Sequence, residues 1–200
     1  MFLDKREFTG PIYLQIEEAV DFVLRNIRLG ATIDGLVRKE KFELPPEAIR
    51  EMIINAHCHR NLRDESCIQV AVYDDRLEVT SPGGLYNGLT YEEIMSGHSK
   101  IRNKGIANIF SQMGLVEAWG SGINRIFNAA KEYGLPKPEF MEFDNMFRVE
   151  LFRNSLPMVQ SIGEASEKLK EDGFLIRHGS PKSGYWEVIA YEKNNSVGTE

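Results

Sequence analysis

The feature that most constrains the fold is a helix predicted from Pro46 to about Arg60. Pro45-Pro46-Glu47 favours a helix start, because proline is tolerated in the first turn and an acid stabilises the positive end of the helix dipole. The apolar residues that follow at helical spacing are Ile49, Met52, Ile53 and Ala56. Beside this stripe, Glu51, Asn55 and His59 are spaced four residues apart and form a polar row. The helix should therefore pack on a core and hold its polar row at the border of that core.

Strands are predicted after this helix. The runs Ile68–Tyr73 and Arg76–Thr80, joined by Asp74-Asp75, indicate a hairpin. Ser81-Pro82-Gly83-Gly84 predicts an abrupt end to its second strand. Further helices are predicted over residues 10–29, near Tyr91–Met95, over Ile106–Met113 and over Ile123–Tyr133, with a final strand over Phe147–Phe152. The mixture of helices and strands favours the α+β class.

Composition and charge narrow the functional classes. The net charge of −6 argues against a chain that binds nucleic acid or anionic membrane over its whole surface. Two cysteines are too few for a disulfide framework, and the N-terminus lacks the apolar run of a signal peptide. We therefore predict a cytoplasmic protein with no membrane partner. A zinc site at His57, Cys58 and His59 is not predicted, because adjacent helical positions point about 100° apart.

Glu51 and Asn55 are the first candidates for chemistry. A glutamate can act as the general base for a water that attacks a phosphate, and an asparagine can supply an oxygen to Mg²⁺. The spacing alone is equally compatible with two polar residues on a helix surface. From the residues themselves, both interpretations stay open.

Two glycine turns and a basic segment are the other candidates. Ser81-Pro82-Gly83-Gly84 can let the backbone approach a flat ligand, or it can simply make a turn. The glycines of Trp119-Gly120-Ser121-Gly122-Ile123 precede a helix, where exposed N–H groups bind phosphate or merely start the helix. Residues 94–116 contain Lys100, Arg102 and Lys104 and no acid, which fits a loop that closes over phosphates or a solvated loop.

The order of these elements resembles that of the GHKL ATPases, such as gyrase and the histidine kinases, whose Asn-containing helix, first glycine box, lid and second glycine box follow one another in this way. More closely, the chain resembles the RecG-like C-terminal domains and related transcriptional regulators, from about Gly10 to Phe152. The motifs that carry the resemblance are Glu51–Arg60, Asp75–Val79 with Ser81–Leu85, Arg102-Asn103, Gly114–Glu117 and Trp119–Ile123.

The resemblance implies a two-layer α/β sandwich of Bergerat (GHKL) type over residues 1–154, with ATP and Mg²⁺ as cofactors. Glu51 would be the water-activating base and Asn55 the ligand of nucleotide-bound Mg²⁺. The nucleotide contacts implied are His59 and Arg60, Ser81, Gly83 and Gly84 at the adenine edge, Lys100, Arg102 and Lys104 in the lid, and Gly120, Ser121 and Gly122 at the phosphates. Two positions depart from the pattern, since Ser81 replaces an aspartate and Leu85 a glycine.

Residues 155–193 resemble part of a winged helix. A helix over Glu164–Asp172 and a hairpin of Phe174–His178 with Tyr185–Tyr191 are expected, and 194–200 is expected to be a disordered tail. Residues 163–200 hold five Lys or Arg against seven acids, so a structural or dimerising hairpin is favoured over DNA binding. In the family an AlbA-type DNA-binding domain precedes the ATPase-like region, which leaves open whether this chain is a fragment.

The prediction is an ATP-binding regulatory module of a DNA-associated transcriptional regulator, with slow Mg²⁺-dependent hydrolysis. DNA would be reached through neighbouring domains, and a homodimer is one expected assembly. One alternative is a degenerate Bergerat fold that binds no nucleotide and serves as an interaction or dimerisation scaffold. Another is a transcription factor that binds DNA through the C-terminal wing. The sequence contains no G-x-x-x-x-G-K-[ST], so no P-loop helicase motor is predicted in this chain.

Overall fold

The structure is a computed structural model that describes residues 3–34, 37–116, 122–154, 170, 175–178 and 185–188. The contacts divide the chain into two units, Met1–Asn154 and Ser155–Glu200. Among the residues described, no helix combines the length and apolar character needed to cross a membrane.

The described residues of the first unit contain five helices. They are α1 (Ile12–Asn26), α2 (Pro46–His59), α3 (Tyr91–Met95), α4 (Lys104–Gln112) and α5 (Gly122–Glu132). All five lie where the sequence predicted helices. Helix α3 is fixed by a capping box, in which Thr90 and Glu93 each bond the backbone N–H of the other.

The described residues of this unit also form six strands, which make two antiparallel sheets. They are β1 (Leu29–Asp34), β2 (Val37–Phe42), β3 (Gln69–Val72), β4 (Arg76–Pro82), β5 (Glu139–Phe143) and β6 (Met146–Phe152). The first two pair with each other, and the other four form one sheet in the order β3-β4-β6-β5. The predicted β3–β4 hairpin and the predicted last strand, β6, are confirmed, although β4 continues through Pro82. Strands β1, β2 and β5 were not predicted from the sequence.

Helix α2 lies at the centre of the core. It contacts β4 and lies beside both α1 and α5. The predicted stripe of Ile49, Met52, Ile53 and Ala56 is buried, and Ile54 is buried as well. Each fully buried aliphatic side chain of this kind stabilises a fold by roughly 1.5–3 kcal/mol. The α+β class is therefore confirmed, with helices packed on one face of an antiparallel sheet.

The other face of the four-stranded sheet is held together by charged side chains. Glu78 and Glu150 lie opposite each other on β4 and β6, and both are buried. Arg76 donates a 2.7 Å hydrogen bond to Glu78, and Arg148 donates one of 3.0 Å to the Thr80 hydroxyl. Because side chains alternate along a strand, Leu77, Val79 and Ser81 face the helices instead.

The second unit contains one described hairpin. Strand β7 (Leu175–His178) pairs antiparallel with β8 (Tyr185–Val188). Both strands lie where the sequence predicted them. The helix expected over Glu164–Asp172 and the tail expected over 194–200 fall outside the described residues, apart from Lys170.

Candidate functional site

A cleft opens between α2, the glycine turn after β4, the segment that follows that turn, and the start of α5. Apolar side chains predominate in its lining, among them Met52, Leu89, Ile94, Ile126, Phe140 and Phe147. Its cavity volume is about 130 Å³. An engineered cavity of about 150 Å³ holds a benzene ring, so this cleft suits a small planar group.

Glu51 and Asn55 form the polar wall of the cleft. The two residues are one helical turn apart on α2, and the Asn55 Nδ2 donates a 3.2 Å hydrogen bond to the Glu51 Oε1. Glu51 is only 7% exposed. Among the described residues that line the cleft, it is the only acid. The helix thus holds a carboxylate and an amide side by side at the edge of an apolar space.

Helix α5 completes the surroundings of this pair. The Arg125 guanidinium lies 3.8 Å from the second oxygen of Glu51, Oε2. Burial raises the pKa of Glu51, and the nearby Arg125 charge and the Asn55 hydrogen bond oppose that increase. A carboxyl whose pKa is raised by burial is a more effective proton acceptor near neutral pH than an exposed one.

Gly122 lies directly against Glu51 and Asn55. A Cβ added at this position would overlap the Glu51 Oε1 and would lie 2.7 Å from the Asn55 Nδ2. Glycine is therefore the residue that allows α5 to begin at this distance from α2. The consequence is that the start of α5 and the polar row of α2 form one continuous surface.

Ser81 is buried at the end of β4 that faces the cleft. Its hydroxyl donates a 3.0 Å hydrogen bond to the Ala56 carbonyl on α2. Beyond it, Gly83 adopts a φ of +101° and donates a 2.7 Å backbone hydrogen bond to the Asn145 carbonyl. A side chain at Gly83 would be strained by this φ and would meet Asn61 at 2.8 Å. At Gly83 and Gly84, the turn therefore presents backbone atoms to the cleft.

The segment between the glycine turn and α4 is tied down at both ends. Arg102 donates a 2.8 Å hydrogen bond to the Gly84 carbonyl and lies 5.0 Å from the centre of the Tyr86 ring. The Lys100 ammonium bonds the Asn87 carbonyl at 3.0 Å. Asn103 donates a 2.7 Å hydrogen bond to the Arg60 carbonyl, which satisfies backbone left unpaired at the end of α2. The basic segment thus joins the first glycine turn to the C-terminal end of α2.

His59 and Cys58 have strongly shifted pKa values. Burial, reinforced by the Arg102 charge, lowers the pKa of His59 to about 4. Burial, with the nearby Glu51 charge, raises the pKa of the Cys58 thiol to about 12. At neutral pH the cleft therefore presents a neutral imidazole and a neutral thiol, so neither is a strong anion ligand or a nucleophile.

The structure brings most of the sequence-predicted residues together. Those that line the cleft are Glu51, Asn55, His59, Ser81, Gly83, Gly84, Lys100 and Gly122. Arg102 lies next to the cleft on the Gly84 carbonyl. Arg60 lies elsewhere, because its guanidinium bonds the Ser66 carbonyl at 2.8 Å. Lys104 faces a neighbouring shallow depression with Asn108. Gly120 and Ser121 fall outside the described residues.

Sequence reasoning missed the aromatic part of the lining. Tyr86 follows the first glycine turn, and Phe140 and Phe147 come from β5 and β6. Phe140 is buried, and its ring centre lies 6.4 Å from that of Phe147. The alternation of Phe147, Val149 and Leu151 with the charged residues Arg148 and Glu150 was the available signal, but it identifies a buried face and not a site.

Comparisons with known proteins agree with part of this description. Residues 65–151 match the model of a family described as "Putative ATP-dependent DNA helicase recG C-terminal". This match supports an ATPase-like domain family for that segment, which includes Ser81 and begins after α2.

A crystal structure of the DIP2311 protein from Corynebacterium diphtheriae is similar to this chain, with a TM-score of 0.65 and 26% identity over 70% of the chain. The similarity covers 29% of that protein, so this chain spans less than a third of its length. No curated protein matches the chain.

Proposed function

We propose that this chain is an ATP-binding regulatory module of a DNA-associated transcriptional regulator, with slow Mg²⁺-dependent hydrolysis. The observation that carries the proposal is the buried Glu51–Asn55 pair at the polar end of an otherwise apolar cleft. A nucleotide has one flat apolar part and one highly charged part, and this cleft offers a surface for each. The match of residues 65–151 to an ATPase-like family supports the nucleotide, and the wording of that family's description supports the link to DNA.

The residues present fit a nucleotide-bound Mg²⁺ ion. Mg²⁺ takes hard oxygen ligands, keeps several waters and accepts only one or two ligands from the protein. The Asn55 amide nitrogen is engaged with Glu51, so its carbonyl oxygen, Oδ1, is the atom that would hold the ion. When bound, the ion would neutralise charge on the phosphates.

Glu51 is the group proposed to take a proton from water. Its burial and raised pKa favour this role, because an effective general base has a pKa close to the working pH. Asn55 and Arg125 hold its two oxygens on different sides, which fixes the direction of the carboxylate. The Ser81 hydroxyl oxygen would accept a hydrogen bond from the adenine of the nucleotide, and Lys100 would supply positive charge to the phosphates.

One observation favours a second function, a scaffold that binds no nucleotide. Glu51 and Asn55 bond each other, and Gly122 lies directly against both. If α5 does not move, this arrangement leaves little room for a phosphate beside the pair. A protein interaction or a dimer contact would then be the role of the unit.

Thermal unfolding separates the two functions. The full chain would be heated with and without Mg-ATP, ADP and a non-hydrolysable ATP analogue. A ligand at 100 times its Kd adds about 2.7 kcal/mol of stability, which is several degrees for a chain of this size. The matched variants are Asn55→Ala, in the cleft, and Asn128→Ala, exposed on α5.

The nucleotide site is supported by a thermal shift that requires Mg²⁺, persists in the control Asn128→Ala and is lost in Asn55→Ala. Hydrolysis by the wild type but not by Glu51→Gln supports the assignment of the base. The absence of any shift at millimolar nucleotide contradicts the proposal and leaves the scaffold.

A further inference from the structure

We propose that Glu142 is a specificity-determining residue of the cleft, which accepts a hydrogen bond from the exocyclic amino group of the bound base. The inference rests on the proposed nucleotide-binding function. It concerns the end of the cleft at Ser81, whose side chain is a neutral hydroxyl, and it assigns a carboxylate acceptor to strand β5 of the same sheet.

The strand register places Glu142 in line with Ser81. On the helix-facing side of the sheet, Ser81 of β4 is paired with Phe147 of β6, and Phe147 is paired with Glu142 of β5. Adjacent strands are about 4.8 Å apart, so the three side chains form a row about 10 Å long. Ser81 and Phe147 both line the cleft, which makes Glu142 the outer member of a row that borders it.

The Glu142 carboxylate lies against the glycine turn. A Cβ at Gly84 would overlap the Glu142 Oε1 and would lie 2.6 Å from its Cδ. Gly84 itself lines the cleft. The Glu142 carboxylate therefore lies against Gly84, a residue that lines the cleft, and occupies the space that any other side chain at position 84 would fill.

The hydrogen bonding at this end of the cleft leaves a role for an acceptor. The Ser81 hydroxyl hydrogen is directed to the Ala56 carbonyl, so Ser81 offers only lone pairs of a neutral oxygen. The neighbouring Arg102 and Lys100 side chains are donors, and the His59 imidazole is neutral. A hydrogen bond to a carboxylate is about twice as strong as one to a neutral oxygen. Glu142 is exposed and lies against Gly84, so its carboxylate can supply such a bond at the edge of the cleft.

Base discrimination tests the assignment. Binding of ATP and ITP to the full chain would be measured by calorimetry, since ITP carries an oxo group where ATP carries the amino group. We expect the wild type to prefer ATP by about tenfold, the effect of one charge-assisted hydrogen bond. Glu142→Ala should bring the two affinities together. Glu142→Gln should do the same, because its amide can donate to the oxo group as well as accept from the amino group.

The matched control is Glu139→Ala. Glu139 is exposed on the same strand but faces the other side of the sheet, opposite Glu150, so its loss changes the net charge equally. A general effect of charge on phosphate binding alters both affinities alike and cancels in their ratio.

The outcomes separate this inference from the proposed function. A loss of ATP preference in Glu142→Ala but not in Glu139→Ala supports the assignment. Nucleotide binding with the same ATP-to-ITP ratio in wild type and Glu142→Ala overturns the assignment and leaves the proposed function intact. If the wild type binds neither nucleotide, the proposed function and this inference both fail.

Discussion

The Ser81 hydroxyl and the Ala56 carbonyl are joined by a 3.0 Å hydrogen bond that connects β4 to α2. The same carbonyl also accepts the Arg60 backbone N–H at 2.9 Å, within the last turn of the helix. Ser81 is 5% exposed, so this bond is both a link in the core and a part of the cleft wall. Its loss should therefore affect both stability and ligand binding.

We expect Ser81→Ala to lower stability by about 1 kcal/mol, the usual net value of one buried hydrogen bond. The midpoint of thermal unfolding should fall by roughly 2–4 °C. Affinity for an adenine nucleotide should fall several-fold, because an acceptor is removed from the cleft. Thermal unfolding and calorimetry measure the two effects, and Ser111→Ala, exposed on α4, is the control. Unchanged stability in Ser81→Ala would contradict the role of the bond in the core.

Gly122→Ala should destabilise the protein by about 1–3 kcal/mol, the range for overpacking of a closely packed position. The new methyl group would meet Glu51 and Asn55. Gly105 of α4 is the matched control, because a Cβ there meets nothing within 4 Å. Gly105→Ala should be neutral or stabilising by up to about 1 kcal/mol, as expected from helix propensity. Urea denaturation of both variants tests the contrast, and equal effects would show that α5 can retreat from α2.

Lys100 and Lys104 should differ in their effect on nucleotide triphosphates. Lys100 lines both the cleft and the neighbouring depression, whereas Lys104 lines the depression alone. Lys100→Ala should weaken Mg-ATP binding by about tenfold and reduce its dependence on salt, because surface charges are screened within about 8–10 Å. Lys104→Ala should change affinity less than twofold. Titrations at two salt concentrations measure this, and a larger loss in Lys104→Ala would place the phosphates over α4 instead.

His59 should make the fold sensitive to acid. The pKa of His59 is about 4 in the folded protein, against an ordinary value of 6.5. Between pH 6.5 and pH 4, the unfolded state therefore binds a proton that the folded state does not bind. The resulting loss of stability begins near pH 6.5 and grows by at most about 1.4 kcal/mol per pH unit down to pH 4.

In His59→Gln, the free energy of unfolding should decline less steeply as the pH falls through this window. The difference in slope should be up to about 1.4 kcal/mol per pH unit, the effect of one proton. Urea denaturation between pH 7 and pH 4.5 measures the slope. His98→Gln, at an exposed position, is the control. Parallel slopes for wild type and His59→Gln would show that the imidazole is protonated without penalty in the folded state.

Elements with strong local signals were predictable from the sequence. Helix α2 has a proline start and a clear apolar stripe, and the β3–β4 hairpin has two β-rich runs around Asp74-Asp75. In contrast, β2 reads Val-Arg-Lys-Glu-Lys-Phe, in which four consecutive charged residues hide the strand period. Strand β5 contains two glutamates in five residues and exists because β6 pairs with it. Strands specified by a partner more than by their own composition are invisible to local pattern reading.

The site was predictable only as a set of segments. The motifs selected Glu51, Asn55 and the glycine turn, and the structure places all three at one cleft. The direction of Arg60 depends on a rotamer that delivers its guanidinium to the Ser66 carbonyl. Glu142 lies beside Phe147, a residue that lines the cleft, only because β5 pairs with β6. Neither relationship has a signal in the spacing of residues.

The cleft is assembled from segments that extend from Glu51 to Val149 and meet only when the unit is folded. Whatever occupies it therefore holds α2, the strands and α5 together at once, and local opening of any one of them must first release the occupant. A ligand L adds RT ln(1 + [L]/Kd) to the free energy of unfolding, so the population of protease-susceptible forms falls by the factor 1 + [L]/Kd. A ligand bound in the cleft would therefore lengthen the lifetime of this protein in a cell, and the abundance of the protein would follow the supply of that ligand.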